Sequence, residues 1–410
     1  MNTASPRTDR RELALLAAIL LIAACLRAPF TGLPPALGLI ATDLRLSTGL
    51  AGAIITLPLL AFALLSPLVA ALARRQGLER TLTAGLVILA VGIALRSAGA
   101  AAALFVGTAV IGIGITVGNV LLPSLIKRSF PNSITPLTGA YALTMGIAAT
   151  AGSAVVVPLS TAWGWPAALA SFIVLPLVAL AAWLPQLRQP AATAPTAAAS
   201  TPEPRLWRSP LAWQVTLFLG LNSLLSYIAI GWLPAMLVEA GHSQAQTGSL
   251  HGVLQLAIAV PGLVIGPLVR RLRDQRLAAA LSAACMAGGF LGLLLAPAQA
   301  IAWCALLGVG SGTGFILGLA FVGLRTRTTA QAVALSGMAQ CVGYLLAASG
   351  PISMGALHDA AGSWQWPLLL CTGLALLEGS IGLLAGRDRR IGDAAPAPAP
   401  AANALPPQQA

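Results

Sequence analysis

Residues 211–237 read LAWQVTLFLGLNSLLSYIAIGWLPAML and contain no charged side chain. A helix that spans the hydrocarbon core of a bilayer needs roughly 20 apolar residues, and this stretch is longer than that. Outside a β-barrel, a helix is the only structure that satisfies its own backbone hydrogen bonds in lipid. The stretch therefore predicts a membrane-spanning helix.

Similar apolar stretches recur along the whole chain, separated by short polar breaks. They predict an all-α membrane protein with twelve transmembrane helices in two pseudo-symmetric six-helix bundles. The expected spans lie near residues 13–40, 47–73, 81–98, 102–126, 134–159, 167–185, 211–237, 247–269, 277–297, 301–324, 334–357 and 367–386.

The overall composition excludes an ordinary soluble protein. Of the 410 residues, 57% are hydrophobic and only 8% are charged, whereas a soluble domain carries about 25% charged residues. The net charge is +12, but the basic residues form short clusters between apolar runs and no basic face, which argues against a nucleic-acid partner. The five cysteines form no Cys-x-x-Cys pair, so neither a zinc site nor a disulfide framework is expected.

The distribution of basic residues predicts the orientation in the membrane. If the N-terminus lies in the cytoplasm, Arg45 and Arg96 fall on the outer side and Arg27 falls within a span. All the other Lys and Arg residues, out of 23, then lie on the cytoplasmic side. This asymmetry predicts a multi-pass protein of the bacterial inner membrane with both termini in the cytoplasm.

Two repeated motifs indicate that the bundles are related. Ser66-Pro-Leu-Val69 corresponds to Gly266-Pro-Leu-Val269, and Trp163-Gly-Trp-Pro166 corresponds to Trp364-Gln-Trp-Pro367. The offsets, 200 and 201 residues, agree, as expected for parallel repeats about an axis along the membrane normal.

The composition between the spans predicts where the bundles begin and end. Residues 186–209 are rich in Ala, Pro and Thr, a composition that suits a flexible cytoplasmic linker. The expected organisation is a cytoplasmic N-terminus over 1–12, a first bundle over 13–185, the linker over 186–209, a second bundle over 210–387 and a disordered cytoplasmic tail over 388–410.

Polar side chains recur at helical spacing on five spans. Residues four apart share a helix face, and a polar face in lipid turns toward a bundle interior or a water-filled cavity. For any single Ser or Thr a hydrogen bond between helices is the better explanation, but five stripes on five different helices favour a shared aqueous pathway. The stripes are Arg27/Thr31; Thr108/Gly112/Thr116/Asn119; Asn222/Ser226 with Ser223/Tyr227; His251/Gln255; and Ser336/Gln340/Tyr344.

Two charged residues lie within spans, Arg27 on the first and Glu378 on the twelfth. A charge at mid-span costs at least about 2.5–3.5 kcal/mol on insertion scales, so both residues are candidates for function. A structural ion pair, or snorkelling to the interface, is the alternative explanation for each.

No catalytic constellation is visible. The three histidines have no carboxylate at metal-ligand spacing, and a membrane-embedded enzyme would need paired carboxylates or a nucleophile with a base. The sequence predicts neither an enzyme nor a bound metal or cofactor.

The chain resembles the major facilitator superfamily and, within it, the cyanate permease and 2-nitroimidazole transporter family. The resemblance covers nearly all of residues 13–387. It rests on GNVLLPSLIKRSFP (118–131), on LSGMAQCVGY (335–344) with LHD (357–359), and on Trp213, Gln214, Phe218, Gly220, Ser223, Tyr227 and Trp232. The chain departs from the family where Cys25 replaces the usual Asn and Arg74 replaces an acidic residue.

This resemblance implies a twelve-helix transporter that works by alternating access, with spans 1, 4, 7 and 10 lining the cavity and span 12 at the periphery. The expected solute is a small polar or anionic compound, cyanate-like or nitroimidazole-like. Uptake of an anion and efflux of a nitroheterocycle or small drug both remain open, and the protein is expected to act as a monomer in the lipid bilayer. The expected substrate-binding residues are Arg27, Thr31, Asn119, Asn222, Ser223, Tyr227, Gln340 and Tyr344, with Glu378 as a possible coupling residue.

Overall fold

The computed structural model describes residues 6–131, 133–188, 206–262 and 274–392, and it contains helices and no strands within them. The repeat at 266–269 and most of the linker and tail lie outside the described residues. The helices are α1 (Pro6–Cys25), α2 (Ala28–Thr31), α3 (Leu33–Leu44), α4 (Thr48–Gln76), α5 (Leu78–Arg96), α6 (Ala101–Ser129), α7 (Ile134–Ser171), α8 (Val174–Trp183), α9 (Pro210–Glu239), α10 (Gln244–Ala259), α11 (Arg276–Leu295), α12 (Ala300–Leu324), α13 (Thr329–Ala361) and α14 (Gln365–Ala385).

The described helices fall at all twelve predicted spans, and the eighth span continues into residues outside the described part. Nine helical segments in the described part are long and apolar enough to cross a membrane. The segment over Leu137–Gln186 is 50 residues long and covers two spans, whose boundary is marked by Gly164 at a φ of 80°. The predicted eighth and eleventh spans, which carry polar stripes, correspond to α10 and α13 and complete the twelve.

The first span was predicted as one continuous helix, but the structure divides it into three, α1, α2 and α3. Helix α1 ends at Cys25 and α2 begins at Ala28, because Pro29 has no N–H to donate to the carbonyl of Cys25 and its ring crowds that carbonyl. The backbone carbonyl of Arg27 instead accepts hydrogen bonds from the N–H groups of Phe30 (3.0 Å) and Thr31 (2.9 Å). Irregular backbone at membrane depth is tolerated where it is buried in protein or lines a cavity. Arg27 thus lies at a break in the helix.

At the end of the molecule remote from the linker, the two halves are bonded to each other. The Asp359 carboxylate on α13 accepts hydrogen bonds from the N–H groups of Thr48 (3.1 Å) and Gly49 (2.7 Å) at the start of α4. The Thr56 hydroxyl donates to the Ala348 carbonyl at 2.9 Å. We call this contact, between residues 48–56 and 348–359, the outer seam. Slight burial raises the pKa of Asp359, but the hydrogen bonds from Thr48 and Gly49 outweigh it and hold the pKa below its ordinary value.

At the linker end, the side-chain hydrogen bonds of Arg128 and Arg325 each lie within one half. Arg128 pairs with Glu79 at 2.5 Å inside the first half. In the second half, Arg325 donates to Gln275 and to the carbonyls of Ala385 (2.8 Å) and Gly386 (3.0 Å). The described structure is therefore a state in which the halves are locked together at the outer seam.

Arg96, which the sequence places on the outer side of the membrane, is not exposed to solvent. Its side chain is fully buried, and Nη1 donates to the carbonyl of Pro29 at 2.6 Å. Because the Pro29 carbonyl lies just beyond the break in the first span, this bond holds the broken segment against α5.

Candidate functional site

Arg27 lies among all three tyrosines of the chain. Tyr141 on α7, Tyr227 on α9 and Tyr344 on α13 each interact electrostatically with its guanidinium. All four side chains are half-buried rather than sealed from solvent. We call these four residues the arginine–tyrosine site.

Both halves of the protein build this site. Phe30 of the first half meets Tyr227 of the second edge to face, with ring centroids 6.1 Å apart. Phe62 of the first half meets Tyr344 of the second in the same way at 6.0 Å. Edge-to-face contact is a preferred aromatic geometry, so it orients each phenol. The site therefore lies where the halves meet and would change shape if they rocked.

Repeat symmetry explains part of this arrangement. Arg27 and Tyr227 are 200 positions apart, the offset of the first repeated motif. They therefore occupy corresponding places on the first span of each half, and the Arg27 guanidinium interacts electrostatically with Tyr227.

Arg27 has no acidic partner among the residues that the structure describes. The ion pairs there include those of Arg128 with Glu79, Arg276 with Asp274 and His358 with Glu239. The half-buried guanidinium offers a planar fork of donors suited to a carboxylate-like group. The free fork is the chemical feature that most directly indicates a ligand.

Thr31 does not point into this site. It is fully buried, and its hydroxyl donates to the carbonyls of Arg27 (3.0 Å) and Ala149 (3.2 Å). The Ser153 hydroxyl in turn donates to the Thr31 carbonyl at 3.1 Å. These bonds attach α2 to α7, so Thr31 supports the break in the first span.

The predicted polar face of α9 divides between two environments. Asn222 is fully buried and its Nδ2 donates to Glu378 on α14 at 3.1 Å, whereas Tyr227 faces Phe30 and Arg27. Residues five apart on a helix are separated by about 140° around its axis, which is why the two face different neighbours. Ser223 is buried beside them. Glu378, expected at the periphery, lies inside the second half.

Asn119 and Gln340 are exposed. Gln340 is one helical turn from Tyr344, and its amide donates to Ser336 within α13 at 3.0 Å. Asn119 follows Gly118, which packs against Leu26 beside the break in the first span. Gln340 can therefore offer a neutral hydrogen bond near the arginine–tyrosine site, whereas Asn119 is placed only by its neighbour's contact with Leu26.

The polar side chains of the two remaining stripes make hydrogen bonds within the protein. Thr108 and Thr116 both donate to carbonyls of their own helix at 2.7 Å. The ring of His251, which is fully buried, lies 2.9 Å from the Ser153 hydroxyl and 2.8 Å from the Ile230 carbonyl. It joins α10 to both α7 and α9.

Sequence reasoning missed Tyr141. Tyr141 belongs to none of the polar stripes. The one feature that could have indicated it is that tyrosine is rare in this chain: there are only three, and the other two were already candidates.

Known proteins share this arrangement of helices. Residues 19–348 match the model of the Major Facilitator Superfamily. The chain belongs to that superfamily. It is 53% identical to the 2-nitroimidazole transporter of Escherichia coli (strain K12) over 392 residues, which covers 95% of this chain and 100% of the relative.

Two further proteins are similar to the chain at lower sequence identity. The chain is 27% identical to the cyanate transport protein CynX of the same bacterium, over 73% of this chain and 79% of that protein. In fold it is similar to a bacterial homologue of the human lysosomal transporter Spinster, described as inward-facing and unoccupied. The TM-score is 0.75 at 14% identity, and the match covers 96% of this chain and 100% of the other.

The membership confirms the resemblance predicted from the sequence. This superfamily member is a multi-pass membrane transporter of a small solute, and its relatives are transporters rather than enzymes.

Proposed function

We propose that the solute is a small planar compound of the 2-nitroimidazole type, with a ring and an electron-rich two-oxygen group. The unpaired guanidinium of Arg27 among three phenols carries this proposal. The two oxygens of a nitro or carboxylate group match the fork of the guanidinium. The ring of such a solute would pack against the aromatic side chains, which prefer offset or edge-to-face contacts.

A ring suits this site better than cyanate does. Cyanate is a linear triatomic anion and offers no face for Tyr227 and Tyr344 to contact. The much higher identity to the 2-nitroimidazole transporter than to the cyanate transport protein points the same way. In this proposal Asn119, Gln340 and Ser223 supply neutral hydrogen bonds to the solute. Thr31 and Asn222 do not contact the solute but hold α2 and α9 in place.

We further propose that the protein works as a monomer in the inner membrane, without nucleic acid, with both termini in the cytoplasm. The basic asymmetry supports this orientation, and Arg96 no longer counts as an outer charge because it is buried. The outer seam would then close the periplasmic side. A reporter fused after residue 162 should report periplasm, and a cytoplasmic signal there would contradict the orientation.

The substrate class is tested by transport into and out of proteoliposomes. We expect 2-nitroimidazole to move at least about 10-fold faster than imidazole, because a hydrogen bond to a charged group contributes about 1.5–3 kcal/mol. Cyanate and benzoate complete the panel, and protein-free liposomes correct for passive permeation. Equal rates for 2-nitroimidazole and imidazole would overturn recognition of the nitro group, and transport of cyanate alone would assign the cyanate-like class. Comparing both directions separates uptake from efflux.

A further inference from the structure

A buried acidic residue lies away from the arginine–tyrosine site, inside the second half. Glu378 on α14 is fully buried, and its Oε1 accepts a hydrogen bond from Asn222 Nδ2 on α9 at 3.1 Å. Gly314 on α12 lies against both groups, so closely that a Cβ there would collide with the Asn222 amide. We call Glu378 and Asn222 the acid–amide pair.

Two buried oxygens of this pair have no hydrogen-bond partner. They are Glu378 Oε2 and Asn222 Oδ1, and both are acceptors when the carboxyl group is ionised. A proton on Oε2 would make it a donor, and Asn222 Oδ1 is the vacant acceptor on the same partner. An acid and an amide then form two hydrogen bonds in a ring, which removes the penalty of about 1–3 kcal/mol for each unsatisfied buried group.

No described cation pairs with Glu378. A buried carboxylate without a cation is strongly disfavoured, whereas the protonated acid is neutral. Helices α9, α11 and α13 pack against α14, and α12 adds Gly314. Near the middle of these helices the titratable groups are thiols and phenols, and the charged groups lie at the helix ends. The thiols and phenols are Cys285, Cys304, Cys341, Cys371, Tyr227 and Tyr344, and the groups at the helix ends are Glu239, Arg276, His358, Asp359 and Arg325, which bonds to the last turn of α14.

The acid–amide pair and the arginine–tyrosine site are connected through helix α9. Asn222 lies five residues before Tyr227 on α9. Ser226 lies between them on the helix. Its hydroxyl donates to the backbone carbonyl of Asn222 at 2.6 Å and lies 2.5 Å from the Ser311 hydroxyl of α12. Since the Ser226 proton is committed to Asn222, Ser311 is the donor to Ser226. A shift of α9 driven at Tyr227 would move Asn222 relative to Glu378.

We propose that Glu378 is the proton-binding site that couples transport to a proton gradient. In the state described here Glu378 carries a proton shared with Asn222. When α9 moves and the pair opens, Oε2 releases the proton to water on one side, and the ionised carboxylate takes a proton from the other side before the pair closes again. This inference rests on the proposed transport function and adds its energy source.

The first test does not depend on the substrate. Infrared spectra of the reconstituted full-length protein at neutral pH should show the carbonyl stretch of a protonated carboxylic acid. Glu378→Gln should remove this band, whereas Asp274→Asn, at an exposed ion pair, should leave it. Glutamine keeps both hydrogen bonds to Asn222, so the fold is expected to persist. An unchanged band in Glu378→Gln would overturn the protonated assignment, even if the proposed solute were wrong.

The second test measures coupling with a panel compound that the wild type transports. In Glu378→Gln, accumulation driven by a pH gradient should be lost, while counterflow exchange stays within about 2-fold of wild type. Asp274→Asn should retain both activities. Loss of counterflow as well would make Glu378 a structural residue. Accumulation that persists in Glu378→Gln, or that follows a sodium gradient and ignores pH in the wild type, would overturn the proton site.

Discussion

Replacing Arg27 by alanine should lower the initial transport rate by about 100-fold or more at matched membrane abundance. The variant loses both arms of the guanidinium fork, and a hydrogen bond to a charged group is worth about 1.5–3 kcal/mol. Arg27→Lys keeps the positive charge but replaces the fork with a single ammonium group. We therefore expect the lysine variant to transport poorly, though better than the alanine variant.

The control for Arg27 is Arg80→Ala, which removes an exposed arginine at the linker end and should transport normally. The measurement is the initial rate in proteoliposomes, with protein quantified by immunoblot. Normal transport by Arg27→Ala would refute a role in binding. Loss of the variant from the membrane, with the lysine variant retained and active, would assign Arg27 to the stability of the helix break instead.

Gly52→Ala should prevent the outer seam from closing. A Cβ at this position would lie 2.5 Å from the carbonyl oxygen of Pro351 and 2.9 Å from the Cα of Ile352. Both are backbone atoms of α13, so they cannot move away by a change of side-chain rotamer. Forcing extra volume into a packed contact costs about 1–3 kcal/mol, so we expect the closed state to be depopulated and transport to fall by about 10-fold.

Gly49→Ala is the matched control, one turn earlier on the same helix. A Cβ there would meet the Asp359 carboxylate at 3.4 Å, which is an ordinary contact. Spin labels at positions 45 and 361, in a background without the native cysteines, would report the separation of the halves at this end. The distance should lengthen in Gly52→Ala and stay short in Gly49→Ala. An unchanged distance in Gly52→Ala would show that the seam tolerates the added methyl group.

Some positions of the site could be predicted because the cost of a charge in lipid depends on the residue itself. Arg27 stands out in an apolar run whatever surrounds it, and so does Glu378. Tyr227 and Tyr344 were found through helical spacing and family motifs. Tyr141 had neither signal, because its place beside Arg27 depends on how α7 packs against α2.

The broken first span shows a second limit. Pro29 is visible in the sequence, but many membrane helices contain proline and remain continuous when neighbouring groups satisfy the freed carbonyl groups. Here the bond from Arg96 to the Pro29 carbonyl and the bonds from Thr31 to α7 hold the separate segments. Those partners are 67 and 118 residues away in sequence, and no local pattern specifies them.

The sequence by itself determined that this chain crosses a bilayer twelve times in two related halves, with a charge on the first and the last span. Transfer free energies of single residues and a repeat period are sufficient for that. Only the tertiary structure decided that Asn222 belongs with Glu378 while Tyr227 belongs with Arg27. Neighbouring positions on a helix point about 100° apart, so the partner of each depends on which helix lies opposite.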